Sequence, residues 1–519
     1  MEQRARLHRS AEEPVLTDGH GPPKGGHSAD AASHLADTIT VPALTNRTKI
    51  VATIGPASRE PAVLRQLIVA GVNVFRLNFS HGTHEEHTAV LEAIRQVGRE
   101  LDRHVGVLQD LCGPKMRLEP VAGDRLDCHL NDEFTLVAGT PANATELACS
   151  YRELPNDLSI GETVLFADGT VAMTVIERAP GRARLRVTLP GQVRSRQGLN
   201  LPGSDLAVSS LTPKDLHDLD WTAQHAADVD FVALSFVRGP DDVTRLRREL
   251  QARKCASEIV VKIEKPQAVQ HLDAIVAATD AVMVARGDLG VEMDVQRVPA
   301  IQKRIIAACN RAHRPVITAT QMLNSMEHSS RPTRAEASDV FNAVLDGTDA
   351  VMLSGESAIG EYPVDAVATM RQICSEAEAY LKLKGGRSDN GSAPLTGLID
   401  STTEASVDAA CLMTLTLDAA LIVVAAESGR PARALANRRP GAPILALPPT
   451  EKIARRLSLC WGVIPVVLAE RSTSERTLVF GIEWAKSRGL VEPGQHAVLL
   501  ADHVGDRPDV RAVLAGTVS

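Results

Sequence analysis

Glu258 to Gln321 reads EIVVKIEKPQAVQHLDAIVAATDAVMVARGDLGVEMDVQRVPAIQKRIIAACNRAHRPVITATQ. Three short apolar runs stand out in it: EIVVKIE, DAVMVARG and PVITATQ. Longer stretches separate them, and VQRVPAIQKRIIAACNRAH carries its apolar residues at helical spacing. Runs without a polar face suit parallel strands buried on both sides under helices, not strands with one face in water.

The same rhythm extends outward. TKIVATIG, VNVFRLNFS, HVGVLQDL and VDFVALSFV precede the stretch, DAVMLSGE follows it, and HEEHTAVLEAIRQVGREL is one of the intervening helices. Eight such units are the number that closes a barrel, so residues 47–114 and 210–378 are expected to form a (β/α)8 TIM barrel. Between them, 115–209 changes in kind. EFTLVAG, ETVLFADGTVAMTVIE and RARLRVTLPG alternate polar and apolar residues around turns at Asn131-Asp132, Asp168-Gly169 and Pro180-Gly181. This predicts an inserted small β-barrel domain that leaves the third strand at its C-terminal end and acts as a lid over the barrel mouth. Beyond the linker GGRSDNGSAP, the runs LDAALIVVAA, PILALPP, GVIPVVL and QHAVLLAD place a C-terminal α/β domain within 379–519. Residues 1–46 lack an apolar period and read as a disordered tail.

Composition narrows the function. A net charge of -8 and 3% aromatic residues provide neither the basic field nor the stacking surface of a nucleic-acid binder. No apolar run approaches the roughly 20 residues of a membrane span. The charged opening MEQRARLHRSAEEP lacks the apolar core of a signal peptide, and the 8 cysteines show no C-x-x-C pair, so a cytoplasmic chain with reduced thiols is expected.

In a barrel, chemistry gathers at the C-terminal ends of the strands. Those ends carry Arg76, Asn78, Ser80 and His81; Asp110; Ser235; Lys262 and Glu264; Arg286 and Asp288; Thr320 and Gln321; Ser354 and Glu356. Alternation puts Arg76, Asn78 and Ser80 on one face of their strand and Phe75, Leu77 and Phe79 on the other. Glu264 and Asp288 lie on neighbouring strands without histidine or cysteine nearby, which suits Mg²⁺ or Mn²⁺ rather than zinc. With Lys262 and Arg76 beside them, the set fits either a metal-assisted phosphoryl or enolate site or a structural cluster of ion pairs. There is no P-loop and no G-x-G-x-x-G turn. HGTHEEH is expected to start a helix at His84 and His87, not to bind zinc, and Thr333 and Glu336 form a capping box.

GVNVFRLNFSHGTHEEH, VVKIEK, VMVARGDLGVE, ITATQMLNSM, RPTRAEASDV and LSGESAIGEYP together resemble the pyruvate kinase family, over nearly all of Thr48 to Val466. The resemblance implies phosphoryl transfer from phosphoenolpyruvate to ADP, giving pyruvate and ATP. It implies that Arg76 holds the phosphoryl group, that Glu264 and Asp288 ligate Mg²⁺, and that Lys262 stabilises the transferring phosphoryl and the enolate. Gly287, Asp288 and Thr320 would hold the substrate carboxylate, and Thr320 and Ser354 would serve the proton route to the enolate. Pro56, His81, Arg117 and, in SRQGLN, Arg196 would bind the nucleotide. It also implies a homotetramer.

The departures from the family are informative. K⁺-requiring members hold the ion with residues matching Asn78, Ser80, Asp110 and the carbonyl of Leu111, and have Thr-Lys-Gly-Pro-Glu where this chain has Leu111-Cys112-Gly113-Pro114-Lys115. Lys115 stands in the glutamate position and can supply the charge of the ion, so the chain resembles the K⁺-independent branch, as do Leu111 and Leu118. Cys112 reads either as a neutral space-filler or as a thiol activated by Lys115. In AAESGRPARALANRRPGAP, the residues Ser428, Gly429 and Arg430 resemble an effector-phosphate turn. DHVGDRPDVRAVLAG lacks the Gly- and Thr-rich loop of members regulated by fructose 1,6-bisphosphate, so another phosphorylated effector, or none, is expected. The alternative enzyme class is a Mg²⁺-dependent barrel lyase or aldolase acting through pyruvate enolate. A binding protein without catalysis is the other class.

Overall fold

The computed structural model describes residues 46–202, 209–383, 400–468, 473–501 and 510–519. The expected tail, but for Asn46, and the linker GGRSDNGSAP lie outside them. Eight parallel strands close a barrel in chain order: β1 (Lys49–Thr53), β2 (Val74–Asn78), β3 (Gly106–Asp110), β4 (Phe231–Leu234), β5 (Glu258–Ile263), β6 (Ala281–Ala285), β7 (Val316–Ala319) and β8 (Ala350–Leu353), with β8 returning to β1. Alternation along each strand divides its apolar residues between two cores. Val51, Val74, Leu108, Phe231, Val260, Met283, Ile317 and Met352 fill the interior, while Ile50, Phe75, Val107, Val232, Val261 and Val284 face the helices. Phe75, Leu77 and Phe79 are buried on the helix side, as the alternation in β2 predicts, which leaves Arg76 and Asn78 to the barrel's inner side.

The floor of the barrel is sealed by a repeated hydrogen bond. The residue just before each even-numbered strand accepts a backbone N–H at the foot of the preceding odd one. Asn73 accepts from Ile50 (3.0 Å), Asp230 from Val107 (2.9 Å), Asp280 from Ile259 (2.8 Å) and Asp349 from Val316 (3.0 Å). Strand ends would otherwise leave donors buried and unpaired, at a cost of about 1–3 kcal/mol each.

Between β3 and β4, eight strands from Arg125–Cys128 to Leu199–Asn200 make a six-stranded sheet and a two-stranded ladder around one core, which includes Phe134, Phe166, Met173 and Leu185. The strand Arg182–Leu189 buries alternate residues. The expected turns carry left-handed backbone at Asn131 (φ 70°), Asp168 (φ 53°) and Gly181 (φ 70°). The insert reaches the barrel mouth through Asn200, whose amide donates to Glu292 (3.1 Å) in the helix Arg286–Glu292 after β6; Lys265 also pairs with Glu292 (2.7 Å).

The C-terminal part is an α/β sheet of β9 (Leu421–Ala425), β10 (Ile444–Leu447), β11 (Val463–Pro465), β12 (His496–Ala501) and β13 (Ala512–Thr517), in the order β11-β10-β9-β12-β13. The last strand is antiparallel and adds to the four expected runs; AVLAGT is short and half exposed. This sheet's side of the molecule meets the barrel floor. Arg455 pairs with Asp230 (2.9 Å), Arg433 with Glu258 (2.6 Å) and Arg439 with Asp349 (3.2 Å), and Leu459 inserts into the interior core of the barrel.

Lys49, at the foot of β1, is buried and donates to the Val463 carbonyl (2.7 Å). Burial lowers its pKa from 10.5 to about 8, against the pull of Glu378. A depressed lysine contributes stability that is complete above the unfolded value and lost as pH falls to the folded one. Lys49→Met is therefore expected to gain stability over the wild type most at pH 7, with the difference shrinking by about 3 kcal/mol between roughly pH 8 and 10.5. Parallel urea titrations across that range would measure it, and a gap that does not change with pH would contradict it.

Candidate active site

At the opposite end of the barrel, the strands deliver their polar residues to one place. Arg76 leaves β2 and reaches across to Asp110, the last residue of β3, with Nε and Nη2 both 2.7 Å from Oδ2; its Nη1 donates to Thr53 (3.1 Å). Lys262, from β5, places Nζ 2.8 Å from Glu264 Oε1, 2.9 Å from Ser235 Oγ and 3.6 Å from Asp110 Oδ1. Glu264 Oε2 accepts from the Phe236 N–H (2.8 Å). Ser235 in turn donates to the Leu111 carbonyl (2.9 Å). Asp110 and Glu264 are each 1% exposed.

Such burial sets charges against one another. Burial would raise Asp110, but Lys262 and Arg76 outweigh it and hold the carboxyl below its usual range. Burial likewise opposes the charge on Lys262, yet Asp110, Glu264 and Asp288 keep its ammonium above the ordinary lysine value. Glu264 is different. Burial pushes it up, Lys262 pulls it down, and Asp288 adds to the rise. A buried carboxylate raised by a carboxylate neighbour is short of positive charge, which an added cation would supply. Among the described residues no group of three or more His, Cys, Asp or Glu is arranged to hold a metal ion. Glu264 and Asp288 are a pair of hard oxygen donors, the set that suits Mg²⁺ when substrate and water complete its shell.

The loop ends after β6 and β7 face each other. The Gly287 N–H donates to Thr320 Oγ1 (2.7 Å), and the same hydroxyl lies 2.6 Å from the Ala319 carbonyl. Thr320 (φ 66°) and Gln321 (φ 54°) are both left-handed, a strained pair that costs of order 1–3 kcal/mol per residue. Arg286, 8% exposed, holds that turn through the Thr320 (2.8 Å) and Gln321 (3.1 Å) carbonyls and is itself anchored on Asp339 (2.6 Å). Its place at a strand end does not reveal this task, because its target is a carbonyl pair on the next loop. Ser354 Oγ is buried without a hydrogen-bond partner, and its N–H donates to the buried Glu356 (2.7 Å).

The remaining expected residues fall into three places. Arg117 and Arg196 meet on the insert, Arg117 donating to the Arg196 carbonyl (3.2 Å). Exposed His81 and Pro56 lie on the loops after β2 and β1, and His81 is lowered by burial and by the charges of Arg117, Arg76 and Lys115. Asn78 accepts from the Ser80 N–H (3.2 Å). Lys115 packs its stem against Gly198 of the insert, and its ammonium makes no ion pair among the described residues; Cys112 is half-buried beside it in sequence and free. Ser428, Gly429 (φ 73°) and Arg430 open the helix Arg430–Asn437 in the C-terminal part, with the Arg430 N–H 3.4 Å from Ser428 Oγ. His84 begins the helix His84–Glu100 behind a Thr83–Glu86 capping box and bonds Asp218 (2.9 Å), while His87 stacks on Phe79, so neither forms a zinc site.

Comparison with known proteins follows the same division of the chain. Residues 45–367 match the family model "Pyruvate kinase, barrel domain" and 404–508 match "Pyruvate kinase, alpha/beta domain". Over 461 residues the chain is 41% identical to a pyruvate kinase of Staphylococcus epidermidis and 40% identical to one of Staphylococcus aureus, covering 88% of this chain and 77% of each relative. A crystal structure of a pyruvate kinase from Cryptosporidium parvum superimposes with a TM-score of 0.85 at 34% identity, covering 92% of this chain and 97% of that one.

The seam between barrel and insert makes one packing demand that can be measured. Gly113 is left-handed (φ 65°), and a Cβ there would stand 2.9 Å from the Phe236 ring and 3.0 Å from Ser235 Cβ. Gly113→Ala is expected to cost about 1–3 kcal/mol in stability. An unchanged urea midpoint would show that the approach is looser than this.

Proposed function

Because the chain belongs to the pyruvate kinase family and makes pyruvate and ATP from phosphoenolpyruvate and ADP, we propose that the residues at the barrel mouth divide that reaction among them. The observation that carries the assignment is the convergence of Arg76, Asp110, Lys262, Glu264 and Ser235 at the strand ends, joined in one continuous chain of contacts. Phosphoryl transfer through a loose transition state calls for positioning and charge neutralisation more than for a strong base, and this cluster has two fixed cations for that purpose. Arg76 holds the phosphoryl group. Lys262 neutralises charge on the phosphoryl as it transfers and on the enolate that remains. Glu264 and Asp288 hold the divalent ion, Mg²⁺ or Mn²⁺, which when bound neutralises phosphoryl oxygens and orients them.

Gly287, Asp288 and Thr320 take the carboxylate end of the substrate, where the Gly287 N–H and the Thr320 hydroxyl already face one another. Ser354, with its buried unpartnered hydroxyl, and Thr320 serve the route by which a proton reaches the enolate carbon. Arg117, Arg196, His81 and Pro56 bind ADP from the side of the insert, and closure of the 115–209 lid over the mouth excludes water that would hydrolyse the donor. Asn78, Ser80, Asp110 and the Leu111 carbonyl line the monovalent-cation pocket, with Lys115 in place of K⁺. The reach of its charge to His81 supports that reading. In the C-terminal part, Ser428, Gly429 and Arg430 form the site of a phosphorylated effector. The assembly is a cytoplasmic homotetramer.

An assay of ADP-dependent pyruvate release from phosphoenolpyruvate tests the set. Lys262→Met is expected to lose about a hundred- to a thousandfold in turnover while equilibrium binding of phosphoenolpyruvate stays within a few fold. Normal turnover in that variant removes the assignment. Activity is expected to be equal in sodium, potassium and tetramethylammonium buffers, and marked activation by K⁺ would reject Lys115 as its substitute.

A further inference from the structure

Lys262 has three N–H donors on a flexible stem, and its reach to substrate depends on what holds the ammonium. Two of its neighbours, Glu264 and Asp110, are carboxylates. A carboxylate fixes an ammonium but also spends its charge, and Glu264 is assigned in addition to the divalent ion. The third neighbour is neutral. Ser235, 1% exposed at the end of β4, accepts from Lys262 at 2.9 Å.

The direction of that bond is settled by what else Ser235 does. A serine hydroxyl has one proton, and this one is donated to the Leu111 carbonyl at 2.9 Å. Only lone pairs are left for Lys262, so the chain of bonds runs from the ammonium through the hydroxyl to a backbone carbonyl. That carbonyl is itself fixed, because the Leu111 N–H donates to the Ala233 carbonyl (3.1 Å) of β4. Lys262 is thereby tied to two consecutive residues at the end of β3, to Asp110 by charge and to Leu111 through Ser235.

We propose that Ser235 is a positioning residue for the phosphoryl transfer: it holds the Lys262 ammonium in place by a neutral, one-directional hydrogen bond anchored on Leu111. The inference rests on the role given to Lys262 above. The Leu111 carbonyl also belongs to the monovalent-cation pocket, so Ser235 is the physical link between that pocket and the lysine. Without the hydroxyl, the stem is free to swing onto Glu264 and Asp110, and the charge is diverted from the substrate.

Turnover of Ser235→Ala is expected to fall about ten- to a hundredfold, the usual effect of losing a hydrogen bond to a charged group, with the KM for phosphoenolpyruvate within about threefold. Ser235→Cys keeps the packing but supplies a poor acceptor. It should lose turnover as well, and it reads the hydrogen bond even if the alanine variant folds badly. Placed on a Lys262→Met background, either substitution should cause no further loss, since groups acting through one another are not additive. Wild-type turnover in the cysteine variant, a loss confined to KM, or a full additional loss in the double variant would each overturn the proposal. Inactivity of the wild type itself would instead reject the reaction assigned to the site.

Discussion

The barrel depends on how its floor is closed. Eight strands begin there, each offering backbone donors beside an apolar interior, and every second strand is preceded by a side chain that accepts from its neighbour. Asn73, Asp230, Asp280 and Asp349 perform the same task for β1, β3, β5 and β7. Three of the four are carboxylates, and a buried carboxylate is tolerated only with a cation at hand. Arg95 and Arg455 meet Asp230, Arg247 meets Asp280, and Arg439 meets Asp349. The arginines at 439 and 455 come from the C-terminal part, so solving the hydrogen-bond problem of the strand feet also fixes the docking of the second α/β unit.

What the floor holds still, the mouth uses. Strand β5 has Glu258 at its foot, paired with Arg433, and Lys262 four residues further along, with Glu264 just past its end. A strand of this length is close to rigid, so an ammonium and a carboxylate are presented over a fixed base. At the mouth the charges alternate in the order Arg76, Asp110, Lys262, Glu264, and Asp288 adds a further negative charge beside Glu264. An electrostatic site of this sort is assembled before the substrate arrives, which is the condition under which it accelerates a reaction most.

Much of this was legible in the chain. The barrel followed from apolar runs spaced by helices, and the insert from the switch to alternation at Glu133–Val137 and Arg182–Leu189. The strand-end residues were legible because a barrel sends its C-terminal ends to one place, which makes a one-dimensional inventory into a site. The contacts within it were not. That Ser235 accepts from Lys262, or that Arg286 grips the carbonyls of Thr320 and Gln321, depends on side-chain reach between strands, which spacing does not encode. Lys115 shows the same limit from the other direction. Its identity marks it off from a glutamate, yet its stem lies against Gly198 of the insert, and its charge is felt at His81 by field, not by contact. The strand Ala512–Thr517 escaped because an exposed antiparallel edge has little apolar pattern.

The seating of Leu459 in the interior of the barrel has a consequence for how the protein is made. The side chain that completes the inner core lies more than a hundred residues after β8, and Arg439 and Arg455, which neutralise the floor, lie close to it in the chain. During synthesis, all eight barrel strands leave the ribosome before any of these three residues exists. For that interval the nascent barrel has an open plug and, at Asp349, a carboxylate without its arginine, so its last stage of consolidation belongs to the arrival of the C-terminal segment. A chain interrupted before that leucine would present the quality-control machinery with a barrel closed in topology and unfinished in energy.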